Sequence, residues 1–228
     1  MDQEAGGFPL RRRCLLIHGF TGGPYEVQPL ADDLERHGCE CHVLRLPGHD
    51  DQLEGLRTVT WQEWIASAEQ EMARLTADGE PVDLIGFSMG GLISAYLANR
   101  YPVRRLVLLS AAAVYLSPVR FLKDVALRAR QRDWDYLKRG KNTPLRAAVQ
   151  FMKLARFTKR EELPRVTVPT LIAQGRRDQI VHPRSAEYIY KRLKGERELH
   201  YFDHSRHLIC LEQDAPELFT AVRRFLQG

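Results

Sequence analysis

The feature that most restricts how this chain can fold is an alternation. Short, nearly unbroken apolar runs stop at glycine or proline, and a stretch with helical periodicity follows. Residues 12–18 (RRCLLIH) end against Gly19. Residues 24–37 then put Val27, Leu30, Ala31 and Leu34 on one stripe, with Gly38 at the stop. Residues 40–46 read as a strand ending at Pro47-Gly48. Residues 61–76 read as a helix, with Thr60 as N-cap and Glu63 at the capping-box position. Strands are also expected over 81–87, 103–109, 168–173 and 197–202, and helices over 89–100, 184–193 and 215–226. Continuously apolar strands belong in a parallel sheet covered on both faces. The expectation is an α/β chain in one domain, 1–228, with a mostly parallel sheet of about six to seven strands flanked by helices.

The alternation breaks between residues 112 and 165, which read as a helical cap inserted between two strands. Val119, Leu122, Val125, Ala126 and Ala129 form one apolar stripe there, and Leu145, Val149, Met152 and Leu154 mark another helix after Pro144. The break is also one of charge. Residues 114–165 hold fourteen Lys or Arg against five Asp or Glu, while the rest of the chain holds 20 basic and 24 acidic residues. A basic segment of this kind suits an anionic substrate or transient contact with a lipid surface, although a solvated helical face is the commonest reason for one. No nucleic-acid partner is expected.

The start, Met1-Asp2-Gln3-Glu4, is acidic where a secretory signal would be basic, and no apolar run follows that could span a bilayer. A cytoplasmic protein, monomeric or weakly dimeric, is the expectation. The four cysteines, Cys14, Cys39, Cys41 and Cys210, have neither zinc-ligand spacing nor the density of a disulfide framework. Cys39 and Cys41 alternate toward one face and read as small buried hydrophobes. No metal and no cofactor is expected.

The chemistry concentrates in Gly86-Phe87-Ser88-Met89-Gly90, a G-x-S-x-G sequence with an apolar strand before it and a helix after it. Small residues on both sides allow a sharp strand-to-helix turn that exposes the Ser88 hydroxyl at the carboxyl edge of the sheet. The Met89 N–H, at the helix N-terminus, is suited to hold an oxyanion. A serine needs a base. His207 follows the last strand, where a base is expected, and His204 in the same loop is its rival; His200, within the strand, reads as structural. The base needs an acid to hold its tautomer. Asp178 lies in the loop after residues 168–173, whereas Asp203 sits in the wrong element. Phe20, in the loop after the first strand, is placed to give a second backbone N–H to the oxyanion. His18 reads as a brace for that loop.

These segments together resemble the α/β-hydrolase superfamily, and more narrowly the Bacillus-type carboxylesterases and monoacylglycerol lipases. The shared pieces are LLIHGFTG at 15–22, PGHD at 47–50, the tryptophan helix at Trp61 and Trp64, GFSMGG at 86–91, GRRDQIV at 175–181 and HSRHLI at 204–209. The resemblance implies the α/β-hydrolase fold and hydrolysis of short- to medium-chain acyl esters or monoacylglycerols through an acyl-enzyme. It makes Ser88, Asp178 and His207 a triad, with Phe20 and Met89 as oxyanion donors. Thioesterase or lactonase chemistry would use the same residues, and a non-catalytic ligand-binding protein is the alternative of a different class. One departure is Arg206, where the family usually has a small residue before the histidine. Another is the insertion, which is more basic than the family leads one to expect; the short N-terminal stretch also leaves little room for the antiparallel strands that open larger members.

Overall fold

The computed structural model describes residues 12–50, 52–113 and 144–228. Six strands form one all-parallel sheet: β1 (Arg13–Ile17), β2 (Glu40–Leu44), β3 (Val82–Phe87), β4 (Val103–Leu109), β5 (Thr170–Gly175) and β6 (Arg197–Phe202). Their spatial order is β2-β1-β3-β4-β5-β6. β3 and β5 are buried along their whole length, whereas every residue of the edge strand β2 is half-buried. This is the α/β-hydrolase arrangement that the alternation and the motifs together imply.

Helices cover both faces. On one lie α1 (Gln28–Arg36) and the C-terminal α6 (Ala215–Gln227), which pack Leu30, Leu34, Leu218 and Val222 against Leu16, Ile85 and Val107. On the other lie α2 (Trp61–Leu75), α3 (Met89–Leu97) and α5 (Arg184–Arg192), with Trp64, Met72, Ile93 and Ile189 against Leu15, Leu84 and Leu108. Each such leucine or isoleucine contributes about 1.5–3 kcal/mol by leaving water, so the helices are held mainly by their stripes. No helix among the described residues is long and apolar enough to cross a membrane.

Two element boundaries and one burial differ from the sequence reading for a local reason. The helix expected over 24–37 is split into a 3-10 turn, Pro24–Glu26, and α1. Pro29 has no N–H to give and fits only a first turn. The strand expected over 168–173 runs instead from Thr170 to Gly175. Pro169 cannot donate into the ladder, while Gln174 and Gly175 pair with Tyr201 and Phe202 of β6. Cys39 is buried as expected, but Cys41, on the edge strand, is half-buried. Glu63 accepts the Thr60 N–H at 2.8 Å and so makes the expected cap on α2.

Between β4 and β5 the described residues include α4 (Leu145–Phe157), which continues into a π-helical turn, Thr158–Glu162. The apolar stripe Val119–Ala129 and the rest of residues 114–143 lie outside the described residues. Ala147, Phe151 and Leu154 face the core, and Leu145, Val149 and Met152 face outward. The π turn is tied down from below: Glu162, buried, takes two hydrogen bonds of 2.8 Å from Arg100 and one of 2.8 Å from Asn99.

Two close approaches fix α3 to the sheet. A Cβ on Gly90 would lie 2.1 Å from the Ile17 carbonyl oxygen, and one on Gly86 would lie 2.5 Å from the Gly90 carbonyl oxygen. No side chain fits at either place without moving backbone. Gly90→Ala is expected to lower the melting temperature by about 5–15 °C, the range for a backbone clash costing about 2–4 kcal/mol in a domain of this size. A thermal melt followed by circular dichroism measures it; an unchanged midpoint would show that β1 and α3 can separate cheaply.

Candidate active site

In this strand order the connections leave β1 in opposite directions, so the crevice at the carboxyl ends of β1 and β3 is the natural place for a ligand. The loop of Phe20 follows β1, and Ser88 follows β3. Ser88 has φ 51° and ψ −109°, a conformation that non-glycine residues adopt at a cost of order 1–3 kcal/mol. Its N–H donates to the Leu109 carbonyl at 2.8 Å, and its own carbonyl accepts the Ala112 N–H at 3.3 Å. β4 thus holds the strained turn through the backbone. Thr21 and Ser110 also have positive φ, 62° and 44°, so strain gathers at this edge.

Ser88, His207 and Asp178 form one hydrogen-bonded series. The His207 Nδ1–H donates to Asp178 Oδ2 at 2.8 Å, which leaves Nε2 to accept the Ser88 hydroxyl at 3.1 Å. All three residues are buried. The carboxylate is fully engaged: Oδ1 accepts the Ile180 and Val181 N–H groups at 2.9 Å, and Oδ2 also accepts the Gln174 amide at 2.9 Å. The imidazole packs against the Phe87 ring, with centroids 4.9 Å apart. An arrangement of this kind can take the proton of the serine hydroxyl as the oxygen attacks and stabilise the imidazolium that results.

The rival candidates lie elsewhere. His204 is exposed and contacts Arg177 at 3.3 Å. Asp203 is exposed and pairs with Arg176. His200, partly exposed on β6, contacts Glu198. Arg206 is tied to Glu212: its guanidinium and its N–H both donate to that carboxylate. Asp214 accepts the His204 N–H and the Ser205 hydroxyl and fixes the remainder of that loop.

His18 braces two loops. Its Nδ1–H donates to the Gly19 carbonyl at 2.9 Å, and its Nε2 accepts the Leu46 N–H at 3.1 Å. Both contacts require the neutral ring. Burial, together with His49 whose ring centroid is 4.8 Å away, lowers its pKa to about 3. Burial likewise lowers His49 to about 4. His49 donates to the Pro47 carbonyl, which also accepts the Trp64 indole N–H.

Two residues here carried no functional signal in the sequence. Glu26 is buried beneath the Phe20 loop, where its carboxylate accepts the Gly19 N–H at 2.8 Å. A Cβ on Gly22 would fall 2.0 Å from that carboxylate, so the second glycine of the loop makes room for it. Glu26 ends the 3-10 turn before α1, so its burial does not follow from the stripe of that helix. Phe151 of α4 stacks on Phe20 with centroids 5.0 Å apart and planes 12° apart, and Trp64 meets Phe20 edge-on at 6.0 Å. Among the described residues no group of three or more His, Cys, Asp or Glu could hold a metal ion.

Residues 14–222 match the alpha/beta hydrolase family, and the chain belongs to it. A thermostable monoacylglycerol lipase of Bacillus sp. (strain H-257) is 29% identical over 223 residues, covering 92% of this chain and 88% of the relative. A carboxylesterase of Bacillus subtilis (strain 168) is 25% identical over 228 residues, covering 95% and 92%. Among solved structures, one described with the metagenome-derived lipolytic enzymes LipS and LipT superposes with a TM-score of 0.80 at 25% identity, covering 97% of this chain and 95% of the other.

Two expectations concern stability. Unfolded histidines titrate near 6.5, while His18 and His49 stay neutral in the fold down to about pH 3 and 4. The unfolded chain therefore binds more protons between those values. Their contribution is fully present above about pH 6.5 and is lost as the pH falls, with a slope of up to about 1.4 kcal/mol per pH unit for each ring. Urea midpoints should fall steadily from pH 7 to 5, and less steeply in His49→Asn; equal slopes would remove His49 from the account. Glu26→Ala leaves the Gly19 N–H buried without its acceptor and should cost about 1–3 kcal/mol, whereas Glu26→Gln keeps an acceptor oxygen and should recover most of it. Urea denaturation of the two variants checks this.

Proposed function

We propose that this hydrolase is a serine ester hydrolase acting on short- to medium-chain acyl esters or monoacylglycerols. The observation that carries the reading is the continuous contact from Ser88 through His207 to Asp178. As the Ser88 oxygen attacks the ester carbonyl carbon, its proton passes to His207 Nε2. Asp178 keeps the imidazole in the required tautomer and offsets its positive charge. The tetrahedral oxyanion is held by the N–H groups of Phe20 and Met89. Met89 opens α3, where first-turn N–H groups have no partner within the helix. The carbon–oxygen bond to the alcohol breaks, and His207 gives its proton to the departing oxygen. Water then attacks the acyl-serine, losing a proton to His207, and the acid leaves as Ser88 is restored.

The ring contacts of Phe151 and Trp64 with Phe20 place apolar surface beside the loop after β1, which supports an apolar acyl group there. The names of the two Bacillus relatives support the same substrate class. Thioesters and lactones present the same carbonyl chemistry, and a panel of such substrates ranks them against simple esters.

Ser88→Ala is expected to reduce hydrolysis of p-nitrophenyl butyrate by about 10³-fold or more and to abolish labelling by a fluorophosphonate, with an unchanged melting temperature. Wild-type turnover in that variant would end the serine mechanism. A wild-type protein that neither hydrolyses esters nor takes the label would favour a ligand-binding role.

A further inference from the structure

A pocket of about 310 Å³ opens between the chain leaving β4 and the last turns of α4. Buried Ala112, Ala113 and Ala155 form its apolar floor, and the exposed Met152, Arg156 and Arg160 and the half-buried Lys159 line the rest. It adjoins the strained turn, because Ala112 donates its N–H to the Ser88 carbonyl at 3.3 Å. Arg156 and Arg160 have no acid partner among the described residues, and Lys159 sits 4.9 Å over the Tyr188 ring. Glu162, the nearest buried acid, is already engaged by Arg100 and Asn99. Residues 144–161 hold five basic side chains against the single acid Glu161, which is exposed. The C-terminal end of a helix favours a cation in its last turn, which accounts for Arg156. Lys159 and Arg160 follow in Thr158–Glu162, the π-helical continuation of the same helix, and line the same pocket.

We propose that this pocket is a subsite for an anionic group carried by the ester, a carboxylate or phosphate joined to the scissile carbonyl by a short apolar spacer. The proposal rests on the ester-hydrolase reading of Ser88 and narrows its substrate class. The small apolar floor takes a few methylene groups, since 310 Å³ is at the lower end of small-ligand sites. The guanidinium forks of Arg156 and Arg160 match the paired oxygens of a carboxylate or phosphate. Each contact is exposed and individually weak, so the three together are expected to give about a tenfold preference.

The test compares kcat/KM for two matched pairs. Mono-p-nitrophenyl adipate against p-nitrophenyl hexanoate places the anion on the acyl side. Monobutyryl glycerol phosphate against monobutyrin places it on the alcohol side. Wild type, the triple variant Arg156→Ala, Lys159→Ala, Arg160→Ala, and the reversal Arg156→Glu, Arg160→Glu are measured at low and high salt. The expected result is an anion preference of about tenfold in one pair at low salt, which shrinks at high salt, disappears in the triple variant and inverts in the reversal. Turnover of p-nitrophenyl butyrate should stay unchanged throughout. Equal rates for charged and neutral esters in both pairs, or a preference that survives in both variants, would overturn the subsite while leaving the hydrolase reading intact. Absence of ester turnover in the wild type would overturn the hydrolase reading itself.

Discussion

The approach of α3 to β1 at Gly90 governs the geometry of everything at this edge of the sheet. The Gly90 Cα sits against the carbonyls of Ile17 and His18, so the helix that begins after Ser88 and the loop that carries Phe20 are built on one contact. The parallel register of β1 and β3 sets the height of that contact, with Ile17 opposite Gly86. β4 and β5 then repeat the device at the backbone level: Ser88 donates to Leu109, and Ser110 donates to Ala173. The acid and the base arrive from β5 and β6, two strands whose pairing runs to Gly175 and Phe202. A serine in a costly conformation persists because ladder bonds and close packing determine its position several times over.

Buried polar groups specify the loops more than apolar ones do. His18 is neutral, joins the loops after β1 and β2 through both ring nitrogens, and has no contact with Ser88. Glu26 does a related task from below, as an acceptor for Gly19. Neither is needed to fill the core, and each would be expensive to bury unsatisfied. The result is a braced loop after β1 in which Thr21, a β-branched residue, is held at positive φ.

Much of this was legible in the sequence. The strands and their burial on both faces could be read because buried parallel strands are apolar throughout, as in Leu106–Leu109 and Leu171–Ala173, and because glycines mark the turns. Ser88, Asp178 and His207 were legible because each ends or follows a strand. What was not legible depended on side chains meeting across long separations. Motif order alone could not separate His207 from His204; the resemblance favoured His207, and His207 is the one that lies within hydrogen-bond distance of both Asp178 and Ser88. Glu26 drew no reading from the sequence, since nothing in a linear pattern shows that Gly22 leaves a space of its size. Phe151 was hidden because ring stacking has no period, and the shift of β5 to Thr170 depended on which carbonyls Pro169 and Glu196 present to neighbours.

The stack of Phe151 on Phe20 has a consequence for how such a protein can diversify. The segment between β4 and β5 is the place where length and composition can change without disturbing the sheet, and in that sense it is modular. Its α4 helix nonetheless shares a ring contact with the loop after β1, more than a hundred residues earlier in the chain. The two segments are therefore not free to be exchanged separately. A graft that brings a new α4 without an aromatic side chain at that place also uncovers the loop after β1, so substrate range and loop order would have to be inherited as a unit.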